Sequence, residues 1–281
     1  MLWELVSRWH TLLPAMSETL GGSGYYYIIT DVSGAHVFIG ITFFVGSTHH
    51  NGTDVTSFYE PLVSWAESKL SWASPELVVT TIEVFPKVSY LFDKSLTGSD
   101  SGQGKTNILG SRLLSKSLLS TPSGVSKIVA QFKSISTLGE SFNVIIGHIV
   151  AGGAVSTNKV DSALLPAWRK ALVHIVITHG WKEGTSFAEQ ARIKRLMTFE
   201  MVPRLKALDW DTVGRRQTMG AYLNEADKEE VGWRDSFWGD NYARLRRVKD
   251  RWDGKGVFWC RPCVGSEDWD REGVCRIYVR E

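Results

Sequence analysis

The sequence predicts an α+β fold, a largely antiparallel multi-stranded sheet with helices packed on one face. Three observations predict it. Aromatic and β-branched runs recur at strand length, amphipathic runs recur at helical spacing, and the two alternate in mixed order with hairpins in place of strict βαβ repetition. With 43% hydrophobic and 11% aromatic residues, 281 positions are ample for a sizeable core.

Leu2, Leu5, Val6, Trp9, Leu12 and Leu13 recur at helical intervals, and the pattern predicts an amphipathic helix that stops at Pro14. Gly21 to Gly24 then breaks the chain. Tyr25–Thr30 and His36–Phe44, separated by a turn at Asp31–Gly34, predict a hairpin with both faces covered. Val55–Leu70 predicts a helix and Leu77–Val84 a strand, and the serine- and glycine-rich stretch from Asp93 to Gly104 predicts a mobile loop. After the short segment Gly110–Leu114 come a helix over Gly124–Leu138 and a strand over Phe142–Val150. The longest strand is expected at Lys170–Thr178, and a long helix at Glu183–Leu208.

The net charge of +2 leaves no basic footprint for nucleic acid. No apolar run is long enough to span a bilayer, and the first residues lack an uninterrupted apolar signal core, which points to a soluble, cytoplasmic protein. Cys260, Cys263 and Cys275 are too few for a secreted disulfide scaffold, so a reducing compartment is expected. Cys260-x-x-Cys263 lacks a second pair to complete a zinc site, and no metal is expected.

Gly220-Ala221-Tyr222-Leu223-Asn224-Glu225-Ala226-Asp227 and Ser236-Phe237-Trp238-Gly239-Asp240-Asn241-Tyr242 carry too many bulky and turn-forming residues for an ordinary loop. Together with Gly256–Cys260 and Cys263–Trp269 they resemble the carboxyl-terminal segment of berberine-bridge-enzyme-like, FAD-linked oxidoreductases, the fungal ones especially. Trp9-His10-x-Leu12-Leu13-Pro14, Leu109–Leu114, Val150–Val155 and Pro166–Ala171 resemble that family's substrate-binding domain. On this reading residues 1–281 form a single substrate-binding-type domain, with sheet and helices over 1–208 and the berberine-bridge-like segment over 209–281. The resemblance implies an antiparallel sheet whose free face closes over a flavin, and it places Tyr222 of Tyr222-x-Asn224 beside the substrate. Nothing in the sequence corresponds to the family's FAD-binding domain, so no cofactor is expected.

The candidate catalytic residues are Tyr222, His174 and His148, the histidines because each lies on a strongly apolar strand where an imidazole must find a partner or a ligand. Tyr27, Trp168, Lys170, Asn224 and Phe44 are the candidate substrate-binding residues; Trp168, Lys170 and His174 share a face if the strand alternates throughout. Hydride transfer needs an electron sink that side chains do not provide. The leading expectation is therefore a cofactor-independent cyclase of the Diels–Alder type in natural-product biosynthesis, acting on a small hydrophobic substrate, with Tyr222 as hydrogen-bond donor. A truncated or split FAD-dependent oxidoreductase and a non-catalytic binder of a hydrophobic metabolite are the alternatives. An apolar sheet face left open would be covered by a homodimer partner, by the loop Asp93–Gly104 or by the carboxyl tail folding over it.

Overall fold

The computed structural model describes residues 1–31, 33, 35–44, 52–70, 81, 83, 89, 107–138, 143–209 and 217–277. Helix α1 (Leu2–Thr19) leads into the hairpin β1 (Ser23–Thr30) and β2 (His36–Phe43), then α2 (Gly52–Leu70). Strand β3 (Asn107–Ser115), α3 (Lys116–Leu119), α4 (Pro122–Ser136) and β4 (Asn143–Ile149) follow, then α5 (Gly153–Thr157) and β5 (Ala171–Gly180). Helix α6 (Phe187–Leu196) continues through a π-helical turn, Met197–Met201, into α7 (Val202–Lys206). The tail carries α8 (Trp233–Phe237) and α9 (Tyr242–Trp252).

Among the described residues five strands form one sheet in the order β2-β1-β4-β5-β3, antiparallel at every pairing. Helices α1, α4 and the α6–α7 segment cover one face, where Val6, Leu13 and Met16 meet Tyr26, Ile28, Ile145 and Ile175, and Met197 and Leu205 extend the same core. The α+β expectation with a largely antiparallel sheet holds.

One buried contact shows how tightly this face is built. The Tyr26 ring lies across Gly147, its register partner on β4, so close that a Cβ there would sit 2.0 Å from the ring. Only glycine leaves the space. His10 Nε2 lies 2.7 Å from the Tyr26 hydroxyl and His10 Nδ1 lies 2.7 Å from the Val6 carbonyl. With Nδ1–H donating to that carbonyl, Nε2 accepts from Tyr26, and the imidazole must stay neutral to do both.

Several expectations are corrected. Helix α1 does not stop at Pro14 but runs to Thr19, because buried Met16 and Ser17 hold the last turn on the core and outweigh the single backbone bond that proline removes. Gly110–Leu114 is no connector but part of β3, a strand whose glycine, serine and arginine interrupt the apolar alternation. The hairpin is not covered on both faces: Val37, Ile39 and Ile41 of β2 are 54%, 41% and 41% exposed. The strand expected at Leu77–Val84 falls outside the described residues apart from Thr81 and Glu83, and the loop Asp93–Gly104 lies wholly outside them. No helix among the described residues is long and apolar enough to cross a membrane. Cys260 and Cys263 form a disulfide, so the expectation of reduced cysteines fails for this pair. The turn in which Cys263 N–H donates to the Cys260 carbonyl (2.9 Å) brings their Cα atoms to 5.3 Å.

A buried arginine fastens the tail to the sheet. Arg112 of β3 is fully buried, and its Nε donates to Asp209 Oδ2 at 2.6 Å. Its two terminal nitrogens reach Glu230, Ser236, Gln217 and the Met219 carbonyl. Lys206 Nζ lies 2.8 Å from Glu230 Oε1, giving two cations against two carboxylates.

Two predictions follow from these contacts. Arg112→Ala strands Asp209 in the interior, leaves Glu230 to Lys206 alone among the cations, and lowers the unfolding free energy by about 3–5 kcal/mol, read by urea denaturation; a loss below about 1 kcal/mol would refute the role given to it. Burial pushes the His10 pKa from 6.5 down to about 4. Between those values the unfolded chain takes up a proton that the folded chain refuses, so stability is present above pH 6.5 and falls as pH drops toward 4, by roughly 3 kcal/mol in full. His10→Gln should therefore lose less stability between pH 7 and 4.5 than the parent, and parallel losses would show that His10 is not responsible.

Candidate functional site

The site lies on the sheet face away from the helices, where β4, β5 and the tail meet. Register alone pairs His148 with His174 across β4 and β5, and Tyr25 of β1 with His148 on its other side. Alternation then sends all three side chains to the same face. The next row reads Ile39, Tyr27, Ile146, Val176 and Ser111 from β2 to β3.

The tail supplies the remaining groups by running along the outer edge of β3. Leu113 N–H donates to the Gly220 carbonyl at 2.8 Å, and Ala221 N–H donates to the Ser236 carbonyl at 2.8 Å. Gly220 is caught between these elements, and a Cβ on it would sit 2.2 Å from Ser236 O and 2.5 Å from Leu165. The chain then turns through a 3-10 segment, Leu223–Glu225, which brings Tyr222 and Glu225 over the paired histidines.

Here the aromatic rings pack edge to face, an arrangement their quadrupoles favour. The Tyr222 ring stands 5.7 Å from His174 and 6.1 Å from Trp168, and Trp168 lies 5.8 Å from His174. Tyr25 closes the other side, 5.2 Å from His148. The Asn224 side-chain amide donates to the Tyr222 hydroxyl oxygen at 2.7 Å. Accepting that bond leaves the tyrosine's own O–H free to donate outward.

Below the rings three polar atoms converge. His148 Nδ1 and His174 Nδ1 are 3.3 Å apart, and Glu225 Oε2 lies 3.5 Å from the first and 3.4 Å from the second. Desolvation lowers the His174 pKa to about 3, with the neighbouring His148 adding to the effect, and lowers that of His148. Both imidazoles are neutral at pH 7, so their contact with Glu225 is not a charged pair. Desolvation raises the Glu225 pKa.

Five of the residues singled out in the sequence meet here: Tyr222, His174, His148, Trp168 and Asn224. Tyr27 is on the same face but one row away, and Tyr25 occupies the place beside His148. Lys170 does not share the face of His174, because Pro166–Arg169 is a 3-10 turn and β5 starts only at Ala171. A register shift between Leu114 and Ser115 then makes Leu172 the extra residue, and it packs into the helix-side core beside Val173. Lys170 is left exposed at the strand's start. Phe44 is likewise misplaced: it lies just past β2, against Gly22 and Tyr59 on the helix side. Glu225 received no role in the sequence, though it stands three residues after Tyr222 in the motif that carried the resemblance.

Residues 221–265 match the family described as Berberine and berberine like. The chain is 39% identical over 282 aligned positions to an uncharacterized FAD-linked oxidoreductase of Arthroderma benhamiae, a match spanning 98% of this chain and 45% of the relative. This chain is a relative of the berberine-bridge-type, FAD-linked oxidoreductases. It is also 34% identical to the flavin-dependent oxygenase ucdF of Aspergillus ustus, over 70% of this chain and 34% of that protein. Among solved structures, the VAO-type flavoprotein MtVAO713 of Myceliophthora thermophila C1 superposes with a TM-score of 0.75 at 25% identity, covering 95% of this chain and 45% of that one. The chain thus spans less than half the length of these berberine-bridge-type relatives, and the fold described above is the fold of that part.

The berberine-like tail makes Asn224 the natural probe of the site. Because Asn224 is exposed and bonds only Tyr222 among the described residues, Asn224→Ala should leave the unfolding free energy within about 0.5 kcal/mol of the parent. A larger loss in denaturant titration would mean that this side chain holds the fold and not the tyrosine.

Proposed function

We propose that this chain is the substrate-side half of an FAD-linked oxidoreductase acting on a small apolar organic substrate. The observation that carries the reading is the uncovered face beside the site, where Val37, Ile39 and Ile41 continue the rows of Ile29, Tyr27 and Tyr25 into solvent. A contiguous apolar surface of this kind marks an interface or a ligand wall. The same face suits a flat aromatic cofactor, since rings and branched side chains line it from β2 to β5. No phosphate-cradling glycine loop occurs in the sequence, so this chain contributes a wall and leaves anchoring to other segments.

A bound flavin supplies the electron sink for hydride transfer. The chain's own residues supply position and proton handling. Trp168 and Tyr25 flank the histidine pair and exclude water from one side. Asn224 orients the Tyr222 hydroxyl, which meets a substrate oxygen as hydrogen-bond donor or passes a proton to it.

A second reading has its own support. The outward-facing Tyr222 donor also suits the cofactor-independent cyclisation expected from the sequence, in which one hydrogen bond to an activated carbonyl lowers the barrier. That reading asks for a closed pocket, and the open β1–β2 face favours the first.

The test mixes the purified chain with FAD and the separately produced portion of the Arthroderma relative that this chain does not match. The expected result is a heterodimer carrying visible flavin absorbance and consuming oxygen with substrate, and Tyr222→Phe should slow turnover by about 10²–10⁴-fold at little cost to assembly. A homodimer or free monomer that stays colourless, or conversion of a polyene by the chain alone, would overturn the half-enzyme reading.

A further inference from the structure

We propose that His148, His174 and Glu225 form a binding site for a first-row divalent cation, zinc above all, with three protein ligands and a fourth position open. The inference stands on this chain's own geometry and does not depend on the redox reading.

The distances decide between two explanations of why these atoms converge. His148 Nδ1, His174 Nδ1 and Glu225 Oε2 make a nearly equilateral triangle with edges of 3.3, 3.4 and 3.5 Å. A hydrogen-bonded cluster of neutral imidazoles around a carboxylate would draw together to about 2.7–3.2 Å, the ordinary range for N–H donors. A tetrahedral metal with bonds of about 2.0–2.1 Å holds its ligand atoms about 3.3–3.4 Å apart, whereas octahedral angles at the same bond lengths would bring them to about 2.8–3.0 Å. The triangle matches the tetrahedral edge.

The donor set agrees with the geometry. Two imidazole nitrogens and one carboxylate oxygen are the ligands of a catalytic zinc site that keeps one position for water or substrate. Nitrogen donors argue against magnesium and calcium, which take oxygen. The ligands are also pre-positioned. His148 and His174 stand opposite each other on adjacent inner strands, β4 and β5, and His174 is only 1% exposed. Glu225 is fixed by a turn in which its N–H donates to the Tyr222 carbonyl at 3.0 Å. Among the described residues no lysine or arginine pairs with Glu225, so no side-chain cation occupies the place of the metal.

Beside Tyr222, such an ion would act as a Lewis acid. Its open position takes an oxygen donor, a carbonyl or a phenolate of the substrate, and Tyr222 lies within one ring's reach to share that oxygen.

The experiment uses the full chain carrying Cys275→Ser, which removes an exposed competing thiol. The protein is stripped with a chelator, then titrated with Zn²⁺ by calorimetry and with Co²⁺ by visible spectroscopy. One equivalent should bind, and cobalt should give the intense visible bands of a tetrahedral centre. Glu225→Gln and His174→Ala should each weaken zinc binding by more than about 100-fold, beyond the usual loss for a mere supporting contact. Circular dichroism checks that each variant is folded, and the half-exposed Glu225 makes its variant readable even if His174→Ala is not. Failure to bind one equivalent, or zinc binding left unchanged by Glu225→Gln, would overturn the assignment.

Discussion

The buried guanidinium of Arg112 is the constraint on which the rest of the site depends. Arginine has no accessible neutral form, so a fully buried Arg112 must find an acceptor for nearly every N–H it carries. Among the described residues it finds them in segments far along the chain, from Asp209 through Gln217 and Met219 to Glu230 and Ser236. The tail therefore has to dock for the sheet to be complete. The single backbone bond from Leu113 to Gly220 contributes only about 1 kcal/mol, so the charged cluster decides where the tail lies. Tyr222 and Glu225 inherit their place over the histidines from that docking.

The sheet keeps its two faces for different work. On the helix side the Tyr26–Gly147–His10 contact and the packed aliphatic core leave no room for change. On the other side burial grades from β3 and β5, where Ser111 and His174 are covered, to β2, where alternate side chains are open. The polar chemistry sits at the covered end of that gradient. There, desolvation keeps both imidazoles uncharged, Trp168 and Tyr222 pack against His174, and Tyr25 packs against His148.

What the sequence disclosed follows from the range of each interaction. The hairpin, β4 and β5 were legible because alternation and β-branching are local properties, and β5 needed only a shift of one residue at its start. Strand β3 was not, because Arg112 reads as a surface residue until its partners, 97 to 124 positions away, are known. His148 and His174 stood out as polar residues on apolar strands, but their contact is a fact of register. Lys170 was misplaced because alternation was carried past the strand's start, and Phe44 because an aromatic residue was assigned to the pocket without regard to face: alternation along β2 puts it with Phe38 on the helix side. Glu225 was hidden because a glutamate in a polar turn looks solvated; only the turn's position over the sheet gives it neighbours.

The division of the face carries an argument about specificity. The β4–β5–tail corner draws its rings, its converging polar atoms and the oriented Tyr222 hydroxyl from Tyr25 and from residues between 148 and 225. On the β1–β2 side apolar side chains meet solvent. On the proposed reading, whatever covers Val37, Ile39 and Ile41 sets the depth and outline of a substrate pocket, while the corner sets how a substrate oxygen is held. Apolar cover is worth about 25 cal/mol per Å² buried, so a partner surface or a substrate gains affinity there with little directional demand. On the same reading, replacing the cover changes which molecule fits and leaves the corner's chemistry in place, a separation of tasks that would let proteins sharing this half of the fold act on different substrates.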